Sequence, residues 1–179
     1  YAGNTVCCPS RSSLMTGLHP GHARHRGNYG PFKGKNARIP FEKGTQTVAT
    51  YLKAAGYATG HVGKWHLGGT TADSTSANGM GFDYSYSRFP NYLWTTETKR
   101  NLRGIRLPYF PDTMWRNEEM VIVTENLSQA RKIYIDELYT KEALSFIEKH
   151  ADHPFFLYLA YTIPHAPQVP YSEEPFADR

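Results

Sequence analysis

The sequence predicts an α/β fold in which helices flank a mostly parallel sheet. Two stretches predict this class, because in each a helical pattern is followed by a short apolar strand, at residues 57–62 and 155–161. Each strand runs directly into a loop that is bracketed by glycine or proline and carries lysine or histidine. Such loops, at the carboxyl ends of parallel strands, are where α/β proteins place functional groups.

Length and composition are those of a folded chain. Of 179 residues, 40% are hydrophobic, 14% aromatic and 20% charged, whereas disordered chains have fewer aromatic residues and more charge. Because only two or three strands are convincing, we expect residues 1–179 to form part of a single domain. No apolar run reaches the length of a transmembrane helix, so we expect no membrane span.

The net charge of +4 and the pI near 9.0 are modest. Proteins that bind nucleic acids gather lysines and arginines into a stripe. Here the densest basic stretch, residues 19–26, owes most of its count to histidine, and later basic residues are scattered among acids. We therefore expect no nucleic-acid partner, and the charge suits an anionic substrate.

The first predicted element is a short helix over residues 9–17. Pro9 fits a first helical turn and Gly17 fits a helix end. Cys7 would then lie at the positive end of the helix dipole, where anions bind. Residues 28–40 are rich in Gly, Pro, Lys and Asn, and we expect a loop there.

Helix and strand alternate in the next part of the chain. Residues 45–55 have a helical spacing of apolar positions and are followed by Gly56. The strand at 57–62 comes next, and residues 81–86 predict another short strand. The alternation supports the parallel sheet.

The strongest helical pattern covers residues 139–150. Its apolar side chains are expected on one buried face, and they are Ala143, Leu144, Phe146 and Ile147. The continuous apolar run at 155–161 is typical of a parallel strand that is buried on both faces. A loop stiffened by Pro164 and Pro167 follows and carries His165.

Residues 88–130 interrupt this alternation. The stretch contains several prolines, and apart from a short hairpin arm at 120–124 we find no hydrophobic period in it that predicts a core element. We therefore expect an irregular insertion within the domain. Surface insertions of this kind usually determine specificity rather than fold.

The two cysteines, Cys7 and Cys8, are adjacent. Neighbouring Cα atoms are closer than a structural disulfide prefers, so we expect no disulfide framework. A zinc site would need further spaced cysteines, which the sequence lacks. The pair is therefore interpreted either as chemically functional or as accidental.

Three segments together resemble the formylglycine-dependent sulfatases. They are Cys7-Cys8-Pro9-Ser10-Arg11 with Leu14-Met15-Thr16-Gly17 after it, Gly56-Tyr57-Ala58-Thr59 with Gly63-Lys64-Trp65-His66-Leu67-Gly68 after it, and the strand at 154–161 with Pro164-His165-Ala166-Pro167 after it. The segments occur in the order typical of the family. The resemblance implies a sulfatase enzyme with an alkaline-phosphatase-like fold, of which residues 1–179 form a partial catalytic domain.

The resemblance also implies the nucleophile. In this family a formylglycine-generating enzyme oxidises the motif cysteine to formylglycine, whose hydrate attacks sulfur and contacts a divalent cation, usually Ca²⁺. Because proline must follow this cysteine by two positions and arginine by four, the motif selects Cys7 for oxidation and for metal contact. Cys8 occupies the variable position and is expected to stay a small, half-buried thiol.

Arg11 and the loop after the first strand are expected beside the nucleophile. Arg11 shares a helical face with Cys7 and suits developing negative charge, the alternative being a surface salt bridge. Lys64 and His66 are expected to point to one side of their loop and Trp65 into the core, although such a pair can also belong to a solvated loop.

The catalytic roles follow from the resemblance. Lys64 binds the sulfate, and Arg11 stabilises the nucleophile. His66 is the base that takes or holds the proton of the hydrate, and His165 faces the sulfate and protonates the leaving alcohol oxygen. Without the resemblance, a single histidine on a loop is more often structural.

Several other polar residues are weaker candidates. The histidines at 19, 22 and 25 have a tempting spacing, but Pro20 and Gly21 interrupt it and hard cations prefer oxygen ligands, so we do not favour a metal site there. Substrate contact remains open for His22, Arg24 and Arg26.

Two further residues need an interpretation. Asp83, in Gly-Phe-Asp, is interpreted as structural. Asn126-Leu127-Ser128 is a glycosylation sequon, which has meaning only in a secreted eukaryotic protein.

The resemblance places the remaining metal ligands of the family outside this chain. They are aspartates upstream of the cysteine motif and an Asp-Asn pair far downstream, with a further sulfate-binding lysine beyond that pair. We therefore expect the 179-residue chain alone to be inactive or nearly so. The resemblance favours a periplasmic, secreted or lysosomal-type compartment, which no residue of the chain fixes.

The implied function is hydrolysis of a sulfate monoester. A sulfated carbohydrate is slightly favoured over a small aryl sulfate, because the aromatic residues of 88–115 can stack on a sugar ring. One alternative is a phosphonate or phosphate ester hydrolase of the same superfamily, which can share the cysteine motif. Another is a family member that binds sulfated glycans without cleaving them, for which Cys7 would stay unmodified.

Overall fold

The structure is a computed structural model that describes residues 2–32, 35–37, 39–68, 75–88 and 109–165. The helices are α1 (Cys7–Thr16), α2 (Val48–Ala54) and α3 (Ile135–Lys149), with short 3₁₀ turns at Asn78–Met80 and Thr124–Gln129. The strands are β1 (Gly30–Phe32), β2 (Lys35–Ala37), β3 (Ala58–Gly63), β4 (Tyr84–Ser87), β5 (Thr113–Arg116), β6 (Glu119–Ile122) and β7 (Phe155–Ala160).

The main sheet has five strands in the order β6-β5-β4-β3-β7 within the described ranges. β3 is parallel to β4 and to β7, and its pairing with β7 runs from Ala58–Phe155 to Gly63–Ala160. β5 and β6 form an antiparallel hairpin that pairs with β4. The predicted α/β class with a mostly parallel centre is confirmed.

Helices cover both faces of this sheet, and each face has its own core. The first core lies beside α1 and α2 and contains Cys8, Met15, Phe41, Ala49, Trp65, Leu67, Ala77, Met80 and Phe82. The second lies beside α3 and contains Val62, Tyr86, Tyr109, Met114, Val123, Tyr134, Ile135, Tyr139 and Ala143. Val62 and its neighbour in sequence His61 point to opposite faces, as alternate strand residues must.

The two helices of the first face begin and end at the signals that the sequence provides. α1 ends at Gly17, whose φ of 69° allows its N–H to donate to the Ser13 carbonyl at 2.8 Å. α2 begins at Val48, three residues later than predicted, because Thr47 and Thr50 form a reciprocal capping box. Both predicted helices are confirmed, with a corrected start for the second.

α3 begins at Ile135, earlier than the predicted residue 139, and the buried face differs from the prediction. Ala143 and Phe146 are buried as expected, together with Ile135, Asp136 and Tyr139. Leu144 and Ile147, however, are 54% and 38% exposed, so their assignment to the buried face is wrong. The helix face that packs on the sheet contains residues 135, 139, 143 and 146, and Leu144 lies on a different face.

Two predictions about the loops and the last strand need correction. Residues 28–40 contain the β1–β2 hairpin rather than an entirely irregular loop, since two strands of three residues are too short to show an alternating pattern. β7 is half-buried from Phe155 to Leu159 rather than buried on both faces. It is the last strand of the sheet within the described residues, and only β3 flanks it there.

The described part of 88–130 is more regular than expected. β5 and β6 extend the main sheet, and Tyr109, Met114 and Val123 lie in the second core. The expectation that no core element occurs here is therefore wrong for residues 109–130, because four-residue strands with one buried side chain give no visible period. That 88–130 is an insertion stays a prediction, and residues 89–108 lie outside the described ranges.

Among the helices that the structure describes, none has the length and apolar character needed to cross a bilayer.

Candidate active site

The candidate site lies where β3 and β7 end side by side. Gly63 closes β3 with a φ of 119°, and a Cβ there would lie 2.1 Å from the Ala160 carbonyl oxygen. The next residue, Lys64, donates its N–H to the same carbonyl at 2.9 Å. The loops that carry Lys64 and His165 therefore leave the sheet at one edge, as the sequence predicts for parallel strands.

Cys7 is the first residue of α1 and is half-buried. The Nζ of Lys64 lies 3.4 Å from its Sγ, although the two residues are 57 positions apart in the chain. The side chain of residue 7 therefore meets both a helix N-terminus and an ammonium group, and both favour negative charge at this position. The predicted proximity of Cys7 and Lys64 is present in the structure.

Arg11 joins three elements at this edge. Its Nη1 donates to the Lys64 carbonyl and, at 3.0 Å, to the hydroxyl of Tyr158 on β7. The alternative of a surface salt bridge therefore does not describe Arg11, whose guanidinium ties α1 to the loop after β3 and to β7. Tyr158 was not anticipated from the sequence, because it lies inside a uniformly apolar strand.

The remaining residues of the Gly63–Gly68 segment are held by the core. Cys8 is a packed thiol as expected, but it is buried rather than half-buried, and its Sγ donates to the His66 carbonyl at 3.1 Å. Trp65 points into the core as predicted, with its Nε1 donating to the Thr75 carbonyl at 3.0 Å. His66 has a φ of 63°, a left-handed conformation that turns the chain between Trp65 and Leu67.

His165 follows β7 on an exposed loop. Its N–H donates to the Thr162 carbonyl at 3.1 Å, and its own carbonyl accepts a hydrogen bond from the hydroxyl of Tyr109. The structure thus brings Cys7, Arg11 and Lys64 into one network, while His66 and His165 lie on the loops that border it. The catalytic roles of all five residues stay predictions.

A buried histidine that the sequence did not single out lies behind this network. His61, on β3, is fully buried between Trp65, Phe82 and Tyr158, with ring centroids 5.3–5.7 Å away. Its ring nitrogens make no hydrogen bond of normal geometry with any residue that the structure describes. Burial lowers its pKa to about 3, helped by the charge of Arg11 and opposed by the Lys64 backbone. The ring is therefore neutral and acts as packing.

The described residues do not fit a Ca²⁺ site. No group of three or more His, Cys, Asp or Glu side chains comes together within them, and the contacts shown for Cys7 and its motif partner Arg11 involve a lysine rather than a carboxylate. Hard cations require several oxygen ligands. The metal contact expected of Cys7 stays a prediction.

Among the described residues, the histidines at 19, 22 and 25 are not gathered into a cluster of metal-ligating side chains. His25 is fully buried, with Nδ1 3.0 Å from the Ser12 hydroxyl and Nε2 2.7 Å from the Ile39 carbonyl. Arg24 pairs with Glu42, and Arg26 donates to the Ala23 carbonyl at 3.2 Å. These side chains stabilise their own loop, which gives no support to substrate contact by either arginine.

Asp83 has the structural role that was predicted. Its Oδ2 accepts from the N–H and hydroxyl of Thr59 at 3.1 and 2.9 Å, and its Oδ1 pairs with Lys53 at 2.5 Å. Burial by itself raises the pKa of this carboxyl group, but the hydrogen bonds from Lys53 and Thr59 outweigh it and lower the pKa. Asp83 thereby joins the start of β4 to β3 and α2.

The side chain of the sequon asparagine is buried and hydrogen-bonded within the fold. Asn126 is 2% exposed, and its Nδ2 donates to the carbonyls of Pro111 and Ile133 at 2.9 and 2.8 Å. Its Oδ1 accepts from the N–H groups of Lys132 and Ile133 at 3.0 and 2.9 Å. A side chain buried in this way cannot carry a glycan in the folded chain.

Comparison with known proteins agrees with this geometry. The chain is 33% identical over 175 residues to an arylsulfatase of Hemicentrotus pulcherrimus, with 92% of this chain and 30% of that protein covered. It is 31% identical over 183 residues to human N-acetylgalactosamine-6-sulfatase, with 98% of this chain and 33% of that protein covered. The chain thus spans about a third of the length of these relatives.

A solved structure shares the fold. The crystal structure of Ps i-CgsB in complex with k-i-k-neocarrahexaose superposes with a TM-score of 0.67 at 29% identity, over 93% of this chain and 36% of that one. The family model described as Sulfatase matches residues 1–179, the entire chain. With the cysteine motif at a helix N-terminus beside Lys64, these similarities show that the chain belongs to the Sulfatase family.

Proposed function

We propose that the full-length protein hydrolyses sulfate monoesters with a nucleophile derived from Cys7. The observation that supports this most directly is the 3.4 Å approach of Lys64 Nζ to Cys7 Sγ at the N-terminus of α1. A sulfate group bound there meets positive charge from both sides. The names of the relatives support the same reaction class.

The nucleophile is the hydrate of formylglycine, which a formylglycine-generating enzyme forms from Cys7. One hydroxyl of the hydrate attacks sulfur, and the bond from sulfur to the substrate alcohol breaks. The other hydroxyl then loses its proton as the aldehyde C=O forms, which breaks the C–O bond to sulfate and releases it, and water rehydrates the aldehyde. The chain's own residues prepare this chemistry. Lys64 binds the sulfate oxygens, whose charge increases as the ester bond breaks. Arg11 holds the Lys64 backbone in place through its carbonyl.

Two histidines on neighbouring loops move the protons. His165, after β7, protonates the ester oxygen as the alcohol leaves. His66, after Lys64, takes a proton from the nucleophile's hydroxyl group. None of these steps depends on the Ca²⁺ that the family resemblance implies, since the described residues do not fit a site for it.

We infer that the substrate is a sulfated carbohydrate. Two similar proteins support this class: a human N-acetylgalactosamine-6-sulfatase and a structure in complex with a neocarrahexaose. The aromatic stretch 88–115 that the sequence analysis assigned to sugar stacking lies mostly outside the described residues. The proposal therefore depends on the relatives rather than on that stretch.

The first experiment compares the two cysteines. The tryptic peptide ending at Arg11, taken from full-length protein of the natural host, should lose sulfur and gain an aldehyde oxygen at Cys7 while Cys8 stays alkylable. Cys7→Ala should abolish turnover of a sulfated N-acetylhexosamine. Cys8→Ala should retain most of it, because the Cys8 thiol is buried in the first core and donates to the His66 carbonyl rather than to the substrate. Two intact thiols in active protein would contradict the proposal.

A second experiment tests whether Lys64 binds the sulfate group. Lys64→Ala should lower kcat/KM by about 10²–10³-fold, the usual effect of removing one transition-state contact. Lys141→Ala, at an exposed position on α3, is the matched control and should leave kcat/KM unchanged. Competition between an aryl sulfate and an aryl phosphonate in the same enzyme distinguishes a sulfatase from a phosphonate hydrolase.

A further inference from the structure

The loop that carries His165 is attached to the N-terminus of α3 rather than only to its own strand. Asp136, in the first turn of α3, accepts the N–H of Thr162 on its Oδ1 at 3.0 Å. Thr140, one turn later, has its hydroxyl 2.8 Å from the hydroxyl of Tyr161. The first residues after β7 are thus held from the α3 side.

A second attachment reaches His165 itself. The hydroxyl of Tyr109 donates to the His165 carbonyl, and Tyr109 is fully buried with its ring stacked on Tyr134 at a centroid distance of 5.4 Å. The Tyr109 carbonyl accepts the N–H of Ile135 at 2.7 Å. The same short stretch of α3 therefore supports both Asp136 and Tyr109.

The position of Asp136 is unfavourable for stability alone. Only 8% of this residue is exposed, and its Oδ2 is buried and accepts no hydrogen bond of normal geometry from the described residues. Burial raises the pKa of the carboxyl group, and the backbone amides of Thr162 and Ile163 offset only part of this increase. A buried acceptor that is only half satisfied needs an explanation beyond packing.

We propose that Asp136 and Tyr109 are positioning residues that fix His165 where it can protonate the leaving oxygen. The inference rests on the proposed sulfatase function, in which His165 is the acid. Asp136 fixes the loop at Thr162, and Tyr109 fixes it at the His165 carbonyl. The exposed imidazole is then carried by a backbone that is clamped on both sides of the cis Ile163–Pro164 bond.

The test uses two sulfate esters that differ in leaving group. A sugar alkoxide is a poor leaving group and needs proton donation, whereas 4-nitrophenolate leaves readily without it. In matured full-length enzyme, Asp136→Ala should lower kcat/KM for a sugar sulfate by about 10–100-fold but for 4-nitrophenyl sulfate by less than about 3-fold. Tyr109→Phe, which removes only the hydroxyl, should show the same selectivity.

Two controls separate positioning from general damage. Asp136→Asn keeps an oxygen that can accept from Thr162, so it should restore most of the sugar sulfate activity. Glu137→Ala removes the neighbouring exposed acid of the same helical turn and should change neither substrate's kcat/KM. The mass of the Cys7 peptide in each variant confirms equal maturation.

The outcomes distinguish this inference from the function on which it rests. Suppose that His165→Ala loses kcat/KM mainly for the sugar sulfate, but Asp136→Ala and Tyr109→Phe lose it equally for both esters. This result overturns the positioning role and leaves the acid role of His165 intact. An equal loss for both esters in His165→Ala overturns the assignment of His165 as the acid. Selective loss in all three variants, with rescue by Asp136→Asn, supports both.

Discussion

At the scale of single residues, Gly63 is the position where a missing side chain matters most for the site. A Cβ at 63 would overlap the Ala160 carbonyl oxygen at 2.1 Å, and φ is already 119°. We expect Gly63→Ala to lower the free energy of unfolding by at least about 3 kcal/mol, because it combines backbone strain with separation of β3 from β7. Thermal or urea unfolding of the full-length protein measures this change.

Gly56 provides the matched control for Gly63. It also has a positive φ, 88°, but no atom of the described ranges lies within 4 Å of its added Cβ. Gly56→Ala should therefore cost only the strain of a left-handed residue, about 1–2 kcal/mol. Equal losses in the two variants would show that the contact with Ala160 is unimportant.

His61 makes the stability of the fold depend on pH. Its pKa is about 3 in the folded chain against 6.5 for an unperturbed histidine, so the unfolded chain binds a proton that the folded chain does not. The contribution of the neutral His61 ring to the free energy of unfolding is present above pH 6.5 and is lost progressively as the pH decreases from 6.5 toward 3. His61→Phe keeps an aromatic ring in the aromatic pocket but removes the titrating group. The free energy of unfolding of this variant should therefore depend less strongly on pH.

A second buried histidine gives an internal comparison. Burial also lowers the pKa of His25, against a hydrogen bond to the Ile39 carbonyl. His25→Phe should therefore remove a separate share of the acid sensitivity, and the double variant should remove both. Urea unfolding midpoints measured from pH 7 to pH 4 test this. If the midpoint of His61→Phe depends on pH as strongly as that of the wild type, the conclusion that the buried His61 ring is neutral is wrong.

At the scale of elements, the turn after β6 depends on Asn126. Its four hydrogen bonds connect residues 111, 132 and 133, which join β5 and β6 to the start of α3. Asn126→Ala should lower the free energy of unfolding by about 3–5 kcal/mol, because it leaves several buried backbone groups unpaired. Ser128→Ala destroys the sequon at an exposed position and should preserve stability.

The same pair of variants tests the sequon. In a eukaryotic secretory host, folded wild-type protein and Ser128→Ala should differ in mass only by the oxygen atom of the serine hydroxyl, with no glycan on either, because Asn126 is buried. A glycan on Asn126 of the folded, active protein would show that the turn opens. The sequon matches a sequence pattern, but its accessibility depends on long-range packing that no local pattern reports.

The elements also show why some of the fold could be predicted and some could not. α1, α2, β3 and α3 were found because helix caps and apolar periods are local signals. The β1–β2 hairpin and β5 were missed because such short strands carry too little pattern, whereas most of β6 lies in the hairpin arm predicted at 120–124. The rotation of α3, which exposes Leu144 and Ile147, is set by the sheet it packs on.

At the scale of the whole molecule, the sequence predicted those residues of the candidate site that belong to a recognisable motif. The motifs indicated Cys7, Arg11, Lys64, His66 and His165, and the structure places their segments at one edge of the sheet. They gave no indication of Tyr158, Asp136 or Tyr109, whose importance depends on contacts between distant parts of the chain. Such residues look like ordinary core residues in the sequence.

The pairing of β3 with β7 has a consequence for the time course of folding. The partner strands lie roughly a hundred positions apart in the chain, and pairing over such distances makes folding slow. At a translation rate of about 5–20 residues per second, about 7–30 s pass between synthesis of Cys7 and synthesis of β7. During that interval β7 does not yet exist and cannot pair with β3. Under the proposed function, the enzyme that modifies Cys7 therefore meets a cysteine segment that is not yet packed against the described sheet.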